Sequence, residues 1–62
     1  MPIATLEGPP IESTEAKRNL VKEITDALEK AYKLPRAVFT VIIKENTPNN
    51  VGVGGTLLSN RE

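Results

Sequence analysis

Apolar residues between Leu20 and Ala31 recur at steps of three and four: Leu20, Val21, Ile24, Ala27, Leu28 and Ala31. That spacing puts them on one face of a helix, with Lys17, Arg18, Lys22, Glu23, Asp26, Glu29 and Lys30 on the other. The pattern predicts a helix over Thr14 to Lys33. Ser13 is the expected N-cap, because its side-chain oxygen can accept from an otherwise free N–H of the first turn. Glu15 falls where the helix dipole favours an anion. Lys30 and Lys33 suit the opposite end, and Pro35 prevents continuation. A pair such as Asp26 with Lys30 adds only about 0.2–0.5 kcal/mol, so the polar face reads as a solvated surface.

The stretches on either side of the helix read as strands. Pro2 to Leu6 carries Ile3, Ala4 and Leu6 and is ended by Gly8-Pro9-Pro10, where prolines deny ladder donors. Val38-Phe39-Thr40-Val41-Ile42-Ile43 is β-branched and nearly continuous, the pattern of a strand buried on both faces. Strand, helix and strand predict a right-handed βαβ unit with parallel strands. One helix covers one face of such a sheet. The other face asks for a partner subunit, a second copy of the same chain. Glu45 to Asn50 is a polar loop. Val51-Gly52-Val53-Gly54-Gly55, followed by Thr56-Leu57-Leu58, predicts a tight turn or small hairpin packed closely on another backbone. Read as a phosphate loop, the same glycines lack the Gly-Lys-Ser/Thr ending and open no long helix. Ser59 to Glu62 reads as a polar tail. The fold class is α/β (α+β), with residues 1–62 as a single domain.

Composition sharpens the need for a partner. A chain of 62 residues has a small core, and domains of this size generally need a staple. Cysteine and histidine are both absent, which excludes disulfides and the usual zinc sites. The carboxylates show no ligand spacing, so no metal site is expected. Oligomerisation is the staple that remains. The formal net charge is zero and no basic block is present, which speaks against a nucleic-acid partner. No apolar run approaches the ~18 residues of a membrane span. The N-terminus lacks the layout of a signal peptide, and the expected location is the cytoplasm.

The candidate chemistry begins at Pro2. With Met1 removed, Pro2 carries a secondary amine at the start of a strand. An α-amino group titrates at roughly 7.7–8.0, and desolvation or a nearby cation lowers that value. Such an amine suits a base working near neutral pH. With Met1 attached, Pro2 is an amide and has no basic nitrogen. Many chains begin Met-Pro with no chemistry attached, so the pair alone is weak evidence.

Met1-Pro2-Ile3-Ala4, one long helix, Val41-Ile42-Ile43-Lys44-Glu45 and Val51-Gly52-Val53-Gly54-Gly55 follow one another in this order across nearly the whole chain. In this the sequence resembles the 4-oxalocrotonate (2-hydroxymuconate) tautomerase family. The Gly8-Pro9 turn, the ending from Asn50 to Gly55 and the tail from Leu57 to Arg61 are most similar to its DmpI branch. The resemblance implies a tautomerase fold in which two-stranded sheets join across a dimer, with dimers assembled as a homohexamer, a trimer of dimers. It implies a cofactor-independent keto–enol tautomerase in aromatic compound catabolism, acting on 2-hydroxymuconate-like unsaturated dicarboxylates. Pro2 matches the family's general acid/base. Cationic groups, partly from neighbouring subunits, would hold the carboxylate.

The match is uneven at the substrate-binding positions. The family's arginine after the first strand has no counterpart in Gly8-Pro9-Pro10. Thr40 stands where a second arginine lies, and Val51 where a phenylalanine precedes the glycines. A hydroxyl cannot replace a bidentate, charge-assisted contact. Thr40 and Val51 are therefore substrate-binding candidates with altered chemistry, and Arg36, just before the second strand, is the first candidate for the substitute cation. Its competing role is a helix-end cap. Lys17, Lys44 and Arg61 are weaker candidates. Lys17 suits a surface position, and Lys44 an edge charge that blocks aggregation. Two other activities fit the same frame. One is a dehalogenase or hydratase of unsaturated acids, which needs an activated water, with Glu7 and Glu45 as the carboxylates at hand. The other is a non-catalytic oligomer.

Overall fold

A computed structural model of the protein describes residues 1–60. Strand β1 (Ile3–Gly8) is followed by helix α1 (Thr14–Tyr32), strand β2 (Thr40–Glu45) and a small hairpin of β3 (Gly52–Val53) and β4 (Thr56–Leu57). Single 3-10 turns span Arg36–Val38, Pro48–Asn50 and Leu58–Asn60. β1 and β2 pair in parallel with Ile3 opposite Thr40, Ala4 opposite Val41 and Glu7 opposite Lys44. β1 runs past the expected end at Leu6 to Gly8, and the Gly8 carbonyl still accepts from the Asn46 N–H at 2.8 Å.

The ends of α1 follow from local chemistry. Ser13 has extended backbone angles, and its Oγ accepts from the Ala16 N–H at 3.2 Å. At the other end Lys33 lies outside the helix. It adopts a left-handed conformation (φ 58°) and donates its N–H to the Glu29 carbonyl at 2.8 Å. A non-glycine residue in that region is uncommon. Asp26 pairs with Lys22 and Arg36 rather than with the expected Lys30.

The second strand begins at Thr40, not at Val38. Val38 donates to the Pro35 carbonyl at 3.1 Å and Phe39 to the Arg36 carbonyl at 3.2 Å. These bonds close a turn whose start is set by the fixed φ of Pro35. The Phe39 ring lies 6.0 Å from that of Tyr32, tilted by 49°. Val38 and Phe39 are thus apolar because they belong to a turn beside the end of α1, not because they extend the ladder.

Exposure alternates over the first four residues of β2 and at the start of β1. Ala4, Val41 and Ile43 are half-buried on the face toward α1, whereas Ile3 is 57% and Ile42 41% exposed on the other. Within one copy, β2 is therefore covered on one face only. No described residue is fully buried. The radius of gyration is 14.9 Å, well above the roughly 10.6 Å expected of a globule of this length. No helix among the described residues is long and apolar enough to cross a membrane.

The hairpin turns through Gly54 (φ 62°) and Gly55 (φ 85°). Two successive positive φ values make a type I′ turn, whose twist matches that of the flanking strands. The expected backbone approach occurs at Gly52, where the position a Cβ would take lies 3.8 Å from the Thr56 carbonyl oxygen. No heavy atom lies within 4 Å of the position a Cβ would take at Gly54 or Gly55, so conformation rather than space selects glycine. Leu58 to Asn60 is not an extended tail. It forms a turn anchored by the Leu58 N–H on the Val51 carbonyl at 2.8 Å. Glu62 and the candidate cation Arg61 lie outside the described residues.

Candidate functional site

Pro2 sits one residue before β1. Its carbonyl accepts from the Thr40 N–H at 3.1 Å. This bond extends the parallel ladder by one step and fixes Pro2 beside Thr40 at the N-terminal end of the sheet. Pro2 is half-buried, whereas Met1 is 93% exposed. Two of the residues singled out from the sequence, Pro2 and Thr40, are thus brought together.

Val51 is elsewhere. It lines a cavity of about 300 Å³ with Glu7, Gly8, Pro9, Asn46, Pro48 and Leu58. The cavity lies at the far end of β1, where the strand gives way to the proline turn. At about 3.3 Å per residue, the six steps from Pro2 to Gly8 put these two places roughly 20 Å apart. A single copy therefore holds two halves of the expected site at opposite ends of one strand. The polar feature of the cavity is a hydrogen bond from Asn46 Nδ2 to Glu7 Oε1 at 3.3 Å. Asn46, Pro48 and Leu58 were not singled out from the sequence. The available signal was the position of Asn46, the first residue past β2 and so next to the end of β1 in a parallel pair.

Arg36 faces the helix. Its Nη1 donates to Asp26 Oδ1 and to Glu29 Oε1, both at 2.6 Å. The two residues lie three apart on α1, which puts their carboxylates side by side on one face. The Arg36 guanidinium holds the Asp26 carboxyl below its ordinary value, with Lys22 adding to the effect. The two carboxylates in turn push Arg36 further up. With Lys22 on Asp26 at 3.6 Å, this cluster of two cations and two anions balances its own charge. It ties the turn after α1 back to the helix.

Lys17 is also paired. Its Nζ lies 2.9 Å from Glu45 Oε2, the same oxygen that accepts from the Ile11 N–H at 2.8 Å. The Ile11 bond, then Lys17, holds the Glu45 carboxyl below its usual value. Glu45 therefore joins β2, the segment before α1 and the first turn of the helix. Of the two carboxylates considered for activating a water, Glu45 is tied up in this way, while Glu7 faces the cavity. Lys44 is exposed and stands across the ladder from Glu7. A second, shallow groove of about 380 Å³ is lined by Thr14, Lys17, Arg18, Val21, Lys22, Thr25 and Arg36. Each of its four cations is ion-paired with a carboxylate.

A parallel β-α-β unit with an antiparallel C-terminal hairpin and a proline in second place defines the tautomerase class of fold. The sequence profile of the Tautomerase family (tautomerase enzyme) matches residues 2–61, and the chain belongs to this family. A probable tautomerase of Staphylococcus aureus is 39% identical over 61 residues, covering 98% of this chain and 100% of that protein. The crystal structure of DmpI from Archaeoglobus fulgidus superposes with a TM-score of 0.84 at 32% identity, over 95% of this chain and 100% of that one. A heterohexamer 4-oxalocrotonate tautomerase from Chloroflexus aurantiacus superposes with a TM-score of 0.85 at 27% identity over the whole of both chains.

Proposed function

We propose that the chain is a keto–enol tautomerase of unsaturated 2-hydroxy acids of the 2-hydroxymuconate kind, with Pro2 as general acid/base once Met1 is removed. The observation that carries this reading is the position of Pro2. It is half-buried and held at the sheet end by the bond from Thr40, while Met1 projects into solvent, open to removal. The match to the family also begins at Pro2. The freed amine takes the proton of the enol hydroxyl. The electron pair moves through the conjugated system, the oxygen becomes a carbonyl, and the same proline returns a proton to carbon. Partial burial favours the neutral amine over its protonated form and so keeps it a base near neutral pH. The reaction as written needs no cofactor.

The working unit is an assembly of copies, a homohexamer built as a trimer of dimers. The exposed Ile3 and Ile42 on the open sheet face and the long radius of gyration support this, as does the heterohexamer among the relatives. Assembly also answers the separation of Pro2 from Val51: Pro2 of one copy works against the Val51 cavity of another. Arg36, engaged by Asp26 and Glu29, acts in this reading by holding the turn before Thr40. The expected site of action is the cytoplasm, on intermediates of aromatic compound breakdown.

The test is the ketonisation of 2-hydroxymuconate, followed by ultraviolet absorbance, for protein shown by mass to lack Met1. The Pro2→Ala variant is measured beside it. A rate above buffer that falls by at least about 100-fold in the variant, the scale of a lost general acid/base, is the expected result. Equal rates above buffer would remove Pro2 from the mechanism, and a rate no better than buffer in both proteins would favour the non-catalytic oligomer.

A further inference from the structure

Within that substrate class, the cavity at Val51 discriminates between tails. Its wall is largely apolar, from Pro9, Pro48, Val51 and Leu58, and the one charged side chain in it is Glu7. The partner of Glu7 there is neutral, the Asn46 amide at 3.3 Å. No lysine or arginine lines the cavity among the described residues. The cations with the strongest claim to a substrate carboxylate are engaged elsewhere, Lys17 by Glu45 and Arg36 by Asp26 and Glu29. Lys44 stands opposite Glu7 in the ladder but does not line the cavity.

A carboxylate entering this cavity would lose water without gaining a counter-charge from the described residues that line it, and it would approach a like charge. Both effects oppose it. A vinyl, alkyl or aryl tail meets neither cost and gains apolar contact. We infer that the cavity takes an uncharged tail best, so that within this class enol acids with a single carboxylate are preferred over diacids such as 2-hydroxymuconate, and that Glu7 is the specificity residue that weakens binding of the second carboxylate. This rests on the reading that the Val51 cavity faces Pro2 of another copy. The acid group beside the enol then stays at the Pro2 end, and Glu7 and Asn46 sense the opposite end of the molecule.

Two six-carbon dienes that cannot ketonise test this apart from catalysis: sorbate, with one carboxylate, and muconate, with two. Each is titrated into the assembled protein lacking Met1, and binding is read from the amide resonances of Asn46, Val51 and Leu58. Sorbate is expected to bind at least about tenfold more tightly, the size of one weakly screened like-charge contact. Glu7→Gln should tighten muconate and narrow the gap to less than about threefold, with sorbate unchanged. Muconate binding as tightly as sorbate to the unaltered protein would overturn the inference. So would an unchanged ratio in Glu7→Gln, or no response at these resonances to either acid.

Failure of the wider reading looks different. If the cavity resonances respond but Thr40 does not, the cavity is separate from Pro2, whatever tail it prefers. If Pro2→Ala leaves ketonisation intact, the base is wrong while the tail preference is still measured by binding.

Discussion

The two faces of the β1–β2 sheet are held in opposite ways. On the helix face the long-range ion pairs among the described residues close inside the same copy. Arg36 joins Asp26 and Glu29, and Lys17 joins Glu45. Ala4, Val41 and Ile43 are covered there. On the open face Ile3 and Ile42 remain largely open to solvent. One face is completed within the copy, while in the proposed assembly the other is covered by another chain. This comparison teaches where the chemistry lies. Cations that sequence reading offers to a substrate are used to fix the helix face, whereas the residues free to act, Pro2 and Glu7, lie at the two ends of the strand whose other side is open.

The largest test breaks the open face. Ile42→Asp puts an unpaired charge where copies meet, and burying such a charge is strongly unfavourable. It should turn the assembly into monomer or aggregate, as read by sedimentation and light scattering. A full-size soluble oligomer from this variant would mean that the open face is not the contact.

Arg36→Ala strikes the helix face instead. It leaves Asp26 and Glu29 adjacent without their shared cation and should lower the melting temperature. The assembled mass should not change, and kcat/KM for an enol acid should stay within about threefold. A large loss of kcat/KM at unchanged mass would return Arg36 to the substrate.

Ser13→Ala removes the cap of α1 and should destabilise the fold by about 1 kcal/mol in urea unfolding. It acts within one copy, so its cost should not depend on protein concentration. A cost that grows on dilution would show that the helix end depends on assembly.

The smallest effect concerns pH. The Glu45 carboxyl is held below its ordinary value of 4.5 in the folded chain. The stability this group contributes is therefore present above about pH 4.5 and is lost as pH falls through the lower folded value. Asp26 acts in the same direction. Glu45→Gln should lower the melting temperature slightly at pH 7 and converge with the unaltered protein at acid pH, which flattens the acid side of the profile. An acid limb with unaltered slope would remove Glu45 from the account.

Much of the helix was legible because its signals are local. Ser13, the three-and-four spacing and Pro35 act on their own neighbourhood. The parallel pairing and the uncovered face were also readable, since one amphipathic helix cannot cover both sides of a sheet. The start of β2 was misread because a run of apolar residues does not reveal whether each one enters a ladder or packs in a turn. Val38 and Phe39 belong to the turn set by Pro35. The tight turn at the hairpin glycines was legible, and the structure adds that positive φ at Gly54 and Gly55 is what selects them.

The candidate site was legible only in part. Pro2 stands out because its position in the chain makes it chemically singular. The engagement of Arg36 was not visible, since nothing in the sequence says that residues ten and seven positions earlier will meet its guanidinium. The pairing of Glu7 with Asn46 depends on two strands being brought into parallel register. Sequence by itself determined the elements, their order and the chemical oddity of Pro2, because propensity, capping and periodicity are short-range. Tertiary structure alone decided which charges cancel and which line a cavity. That choice depends on distances of a few ångströms between residues far apart in the chain.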